Sequence, residues 1–211
     1  MMDRQTRLPE VLPLFPLAKA ILLPRAEMPL NIFEPRYLQM TEDCLRGHRY
    51  IGMIQPRDAQ EPPALHPIGC AGRITAWSET GDGRFLITLT GVSRFILGEE
   101  LASVGPYRQA RVLYDSFAQD QDALEEPLGL DRAILFKALQ AYLKPLNMAA
   151  EWEPLANAPA ESLINTLTML CPFESLQKQA LLSAPSLAER AQLLLALLER
   201  ETPGASGARL Q

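Results

Sequence analysis

No Gly-x4-Gly-Lys-Ser/Thr run occurs in the 211 residues, so the sequence offers no phosphate-cradling P-loop. Two histidines and three scattered cysteines supply no metal-ligand spacing. Cys44, Cys70 and Cys171 are odd in number and far apart, which speaks for free thiols in a reducing cytoplasm and against a disulfide framework. No uninterrupted apolar stretch of about 18 residues is present, so no membrane-spanning helix is expected. The N-terminus lacks the apolar core of a signal peptide. A basic excess is also missing. The net charge of −5 arises entirely after residue 117: residues 1–117 hold 13 Arg+Lys against 13 Asp+Glu, and residues 118–211 hold 7 against 12. An acidic second half opposes nucleic acid, whose phosphates need a basic face, and opposes an anionic membrane surface.

Proline, by contrast, is plentiful. Eighteen are present, clustered before Pro67 and between Pro127 and Pro159. Five fall in 13–37, P-L-F-P-L-A-K-A-I-L-L-P-R-A-E-M-P-L-N-I-F-E-P-R-Y. Each removes a backbone donor and fixes φ near −65°, which disfavours a helix interior or a central strand. Yet the stretch is rich in Leu, Ile and Phe, which gain by burial. It therefore reads as proline-bent strands (11–17 and 21–33) at a sheet edge. Pro35 then suits a first helical position and Glu34 a helix N-terminus, so a helix is expected over 35–46, stopped by Gly47.

Further along, 50–54 reads as a buried strand and 57–67 as a loop. The span 68–78 is strand-like and Thr80-Gly-Asp-Gly83 a turn. In 84–90, Phe85, Ile87 and Leu89 alternate with Leu86, Thr88 and Thr90, and Gly91 is expected to break the strand. Segments 94–97 and 107–114 continue what should be a curled sheet or partly open barrel. The acidic stretch 116–127 is expected to be a mobile lobe boundary. Beyond it the apolar period becomes helical, over 128–146, 161–170, 174–182 and 186–201, with 147–159 a loop. Ser186-Leu-Ala-Glu189 reads as a capping box opening the last helix.

Catalytic patterns are thin. His66 and Cys70 lie four apart, but in a loop and an apolar strand, where a buried inert thiol is the ordinary outcome. Ser175-Leu-Gln-Lys178 fits Ser-x-x-Lys without the other motifs that accompany that pattern, and reads as a solvated helix face. Glu34, Arg36, Arg84 and Arg94 admit two readings. They form a ligand-binding cluster, or they are internal bridges and caps; the second is favoured because an Arg fork can satisfy several carbonyls. Leu14, Phe15, Leu17, Leu30, Ile32 and Phe33 read mostly as core, with part exposed as a patch along the incompletely paired edge.

The motifs PLFPL, LLP and PLNIFEPRY, then Ile68-Gly69, GDGRFLITLTGVSRF at 81–95 and KQALLSAPSLAERAQLLLALL at 178–198, together resemble the N-terminal domain of Lon proteases. That domain also occurs as a stand-alone bacterial protein and inside cereblon. The resemblance implies an α+β fold: a β-rich, PUA-like pseudo-barrel lobe with one helix (8–117), then an all-α four-helix lobe (124–201). Residues 1–7 and 205–211 are expected to be disordered. It further implies a cytoplasmic, non-catalytic recognition or adaptor module without the ATPase and peptidase modules of Lon. It would need no cofactor or metal, and its partners would be unfolded or specific polypeptides and a separate Lon protease. Candidate binding residues are Leu14, Phe15, Leu17, Leu30, Ile32, Phe33, Glu34, Arg36 and Arg94. Two other classes remain open: a PUA-like RNA binder, disfavoured by charge, and a small-molecule hydrolase, for which no nucleophile–base set is found.

Overall fold

A computed structural model describes residues 8–102, 105–122 and 130–201. The expectations for 1–7 and 205–211 lie outside the described residues. The chain divides into two compact units, Met1–Ala123 and Leu124–Gln211.

The first unit contains strands β1 (Val11–Pro16), β2 (Glu27–Ile32), β3 (Tyr50–Ile54), β4 (Ile68–Glu79), β5 (Phe85–Leu101) and β6 (Gln109–Leu113), with helix α1 (Pro35–Arg46) between β2 and β3. The order β2-β5-β4-β3-β1-β6 is completed by a further β5–β6 pairing. Five strands therefore close a pseudo-barrel, and β2 hangs outside it on β5. The enclosed core includes Leu12, Leu14, Ile54, Ala71, Phe95 and Val112. Helix α1 starts at Pro35 and ends before Gly47, as its sequence signals require, and buries Tyr37, Met40, Thr41 and Cys44.

Three strand expectations change. The strand expected over 21–33 is confined to β2, Glu27–Ile32, and residues 21–26 lie in no strand. β1 is not an edge: it pairs in parallel with β3 from Leu14 and antiparallel with β6 through Pro13. The Leu14 N–H donates to the Arg108 carbonyl and the Leu17 N–H to the Ile54 carbonyl. Even-numbered residues of β1 thus turn their backbone to β6 and odd-numbered ones to β3. Pro13 faces β3 one residue before that ladder begins, and Pro16 faces β6 beyond the last pair there. Each missing N–H falls where no partner stands, so an interior strand tolerates both prolines. Likewise Gly91 does not break β5. Its N–H donates to the Ala26 carbonyl, its carbonyl accepts from Arg25, and a Cβ here would lie 2.0 Å from the Leu23 oxygen. Glycine is required because another backbone passes against the strand. At the β4–β5 turn, Gly83 has φ of +79° and closes onto Thr80, as expected of Asp-Gly.

The acidic stretch read as a mobile boundary opens differently. Asp115–Gln121 is a 3-10 helix that buries Phe117 and Asp120. The rest of that stretch from Ala123 lies outside the described residues.

The second unit contains α2 (Arg132–Leu143), α3 (Trp152–Asn157), α4 (Ala160–Leu170), α5 (Ser175–Ser183) and α6 (Leu187–Glu201). Asp131 caps α2 by accepting from the Ala133 N–H at 2.8 Å. Pro145 converts the end of the expected longer helix into a 3-10 turn, leaving Leu146 exposed. The expected loop at 147–159 holds α3, a fifth helix. The Ser186 hydroxyl accepts from the Glu189 N–H at 3.2 Å, as a capping Ser should. Leu135, Leu139, Tyr142, Leu163, Leu194 and Leu198 are central to one apolar core. No helix among the described residues is long and apolar enough to cross a membrane.

Candidate functional site

Sheet pairing decides which surface of the first unit is open. Among the described residues β2 has one neighbour, β5, in register from Glu27↔Thr90 to Ile32↔Phe85. The Gly91 N–H donating to the Ala26 carbonyl sets the alternation. Met28, Leu30 and Ile32 turn their backbone to β5, whereas Glu27, Pro29 and Asn31 turn theirs outward. The outer edge therefore presents N–H groups at Glu27 and Asn31, carbonyls at all three, and a gap at Pro29. An edge interrupted in this way resists continuous pairing with a like edge while leaving donors and acceptors for a short strand.

Beside that edge lies a shallow groove of about 490 Å³, lined by parts of β2, β4 and β5, including Pro29, Asn31, Trp77 and Leu86. None of its lining residues is charged. Trp77 is 52% and Leu86 47% exposed, and Phe33, just past β2, is 61% exposed. Trp77 is held edge-on to Phe85, whose ring lies 6.3 Å away. A backbone edge next to an uncharged apolar groove can take main-chain hydrogen bonds and an apolar side chain together.

The structure splits the residues nominated from sequence. Leu14, Phe15 and Ile32 belong to the core, at 0%, 7% and 2% exposure, and cannot be touched by a partner. Leu17 and Leu30 are half-buried, and Leu30 lines the groove. Phe33 is the most exposed of the set. Glu34 and Arg36 pair with each other at 2.9 Å at the start of α1, and Arg36 also reaches Glu61 at 3.6 Å. Arg84 pairs with Asp82 in the β4–β5 turn. Arg94 is fully buried: its guanidinium forks onto both Asp120 oxygens at 2.8 Å and stacks 4.4 Å over the Phe117 ring. Its own backbone N–H also donates to Asp120, at 2.9 Å. Glu34 and Arg36 serve each other while Arg84 and Arg94 serve separate acids, so the four do not converge on one site, and Glu34 precedes α1 without a side-chain cap bond. Trp77, Leu86 and Asn31 were missed. The available signal was Leu86, a leucine on the otherwise Thr-bearing face of an alternating strand.

A second recess of about 530 Å³ lies between the start of α1, residues 56–63 and residues 106–108. Its polar walls are engaged internally. The Tyr107 hydroxyl donates to Asp43 at 2.9 Å, and burial pushes its pKa up to about 12. Arg108 forks onto Glu100 and donates to the Pro63 carbonyl at 2.7 Å. All three cysteines are buried, and burial raises Cys44 to about 12 and Cys171 to about 11, away from thiolate chemistry. Lys178 of the Ser-x-x-Lys pattern is buried, not on the solvated face expected, and donates to the Met169 carbonyl. Its pKa is lowered by desolvation. No group of three or more His, Cys, Asp or Glu among the described residues is placed to hold a metal ion.

Comparison with known proteins gives a consistent answer. The family profile described as the ATP-dependent protease La (LON) substrate-binding domain matches residues 11–200. Lon protease 2 of Myxococcus xanthus is 28% identical over an alignment that takes in 92% of this chain and 24% of that protein. Lon protease of Dictyoglomus thermophilum is 26% identical, over 92% of this chain and 25% of its own length. The chain thus spans about a quarter of these curated relatives. Among solved structures, a Lon N-terminal domain protein from Xanthomonas campestris superposes with a TM-score of 0.60 at 25% identity, covering 88% of this chain and 97% of that one. The N-terminal domain of the Mycobacterium avium complex Lon protease gives 0.61 at 15% identity, covering 89% and 97%, a likeness of fold.

Proposed function

Because the chain belongs to the family of LON substrate-binding domains, we propose that its first unit recognises extended polypeptide by adding a strand to the outer edge of β2. The observation that carries this is the one-sided pairing of β2 beside an uncharged groove. Outward N–H and carbonyl groups at Glu27 and Asn31 hold the incoming backbone. The groove beside Trp77 and Leu86 takes an apolar side chain at about 25 cal/mol per Å² removed from water. Ordering an unfolded segment offsets much of that gain, so affinity is expected near micromolar, about −8 kcal/mol. The uncharged lining makes binding nearly independent of salt. This is a recognition or adaptor role in the cytoplasm, without chemistry of its own, with unfolded segments and a separate Lon protease as partners. The cysteine thiols, held above their ordinary pKa by burial, support it.

Titration of the ¹⁵N-labelled chain with an uncharged, unstructured, apolar-rich peptide tests the proposal. Shift changes should map to 27–33 and 76–88. Changes confined to the helical unit, or none at millimolar peptide, would rule out strand addition at β2.

A further inference from the structure

The helical unit carries an apolar recess that strand recognition leaves unused. About 360 Å³ opens between the C-terminal part of α2, residues 148–155 and the C-terminal part of α4. Leu139, Leu143 and Leu167 line it from within, while Met148 and Leu170, 45% and 72% exposed, stand at solvent. One of its lining residues, Glu151, is charged.

Backbone chemistry selects what fits. Two walls, α2 and α4, are helices whose central N–H and carbonyl groups are already bonded within each helix. These two walls offer no ladder, so an extended segment laid between them would leave its own backbone groups unpaired there; residues 148–151, on the third side, are not helical. A helix brings its backbone already satisfied and inserts side chains only.

Charge selects further. All eight acidic residues among 130–201 lie at least partly at the surface. Of the six basic residues there, Lys178 and Arg190 are buried. Lys178 is spent on the Met169 carbonyl, and Arg190 on Asn165 at 3.0 Å and the Leu181 carbonyl at 3.1 Å. Burial of these two bases leaves the surface more acidic than the composition alone requires, and Glu151 stands exposed at the recess.

We propose that this recess docks a basic amphipathic helix of a partner polypeptide, with its apolar stripe between α2 and α4 and its Lys or Arg flank over Glu151. The proposal is independent of β2: failure of strand addition leaves it intact.

The test uses the full chain and a fluorescent Leu/Lys peptide of about eighteen residues with Leu at i, i+3, i+4 and i+7 spacing. The comparators are the same composition in strict alternation and a Glu-for-Lys version. Anisotropy should show the helical Lys peptide binding about tenfold or more tighter than either comparator. Leu170→Ser with Met148→Ser, which removes exposed apolar side chains without changing charge, should weaken it about tenfold. Glu151→Lys should weaken it too, and Leu86→Ser in the first unit should not. Equal binding of all three peptides would show indifference to both helical spacing and charge, and binding indifferent to the Leu170/Met148 pair would reduce the effect to non-specific charge attraction; either would overturn the proposal. No binding at millimolar chain would overturn it as well.

Discussion

The two units meet the same requirement, satisfaction of every buried backbone group, in opposite ways. The first bonds strands far apart in sequence, such as Val11 with Arg111. Its ladders must start and stop somewhere, and among the described residues β2 is left with a bare edge. The second closes its hydrogen bonds within each helix and leaves side-chain grooves instead. Nine of the chain's twelve glycines lie between Gly47 and Gly105, whereas residues 130–201 contain none. Crossing backbones in the first unit need positions without a Cβ; helices packed through leucine do not. An open edge invites an extended ligand and an open groove a helical one.

The strongest way to break this contrast is Gly91→Ala. Its added methyl would meet the Leu23 oxygen and the Leu22 side chain. Because the obstructing atom is backbone and cannot swing aside, we expect outright unfolding of the first unit, with the second unaffected. The two tryptophans make this readable, since Trp77 lies in the first unit and Trp152 in the second. Urea unfolding of Trp152→Phe and Trp77→Phe backgrounds would follow each separately. Coincident loss of both transitions would show that the units do not unfold independently.

Next in size is Asp120→Ala. It removes the carboxylate from the buried Arg94 guanidinium, and breaking such a pair costs about 3–5 kcal/mol. A segment that merely linked two lobes would tolerate the change at no cost. The Trp77 transition therefore decides whether the 3-10 helix belongs to the barrel. A milder effect is expected of Asn31→Pro, which removes one of two outward N–H groups from β2. It should weaken an extended peptide by about 1 kcal/mol, roughly fivefold, in the same NMR titration, and leave the Leu/Lys helix unaffected.

The smallest expected difference is in pH dependence. Both histidines, His48 and His66, lie in the first unit, and burial lowers the pKa of each from its ordinary value. The unfolded chain then takes up protons first as pH falls. This contribution to stability is complete above an unfolded pKa of about 6.5 and is lost as pH drops below it toward the folded values. Between pH 7.5 and 5.5 the urea midpoint of the Trp77 transition should fall more than that of Trp152. Equal shifts would assign the effect to other groups.

Much of the fold was legible because its signals are local. Pro35 and Gly47 bound α1, Asp-Gly marks the β4–β5 turn, and Ser186 caps α6. The family motifs carry the rest of the likeness. Legibility ended where a residue's meaning depends on a distant partner. Pro13 and Pro16 suggested an edge, yet β1 is interior because each missing N–H faces an unpaired position. Leu14 and Phe15 were therefore nominated for binding and lie in the core. Asp120 looked like part of a solvated acidic run, and the Arg94 guanidinium, 26 residues earlier, makes it a buried anchor.

The sequence by itself determined the period of each element, the caps and turns between them, and the family. Caps, turn dihedrals and amphipathic repeats act within about four residues, and so are written in neighbouring letters. The tertiary structure alone decided which proline-bearing strand became the edge, why Gly91 admits no side chain and which leucines face solvent. Each of those outcomes is fixed by groups brought together from distant parts of the chain, where hydrogen-bond pairing and close packing, not local preference, set the free energy.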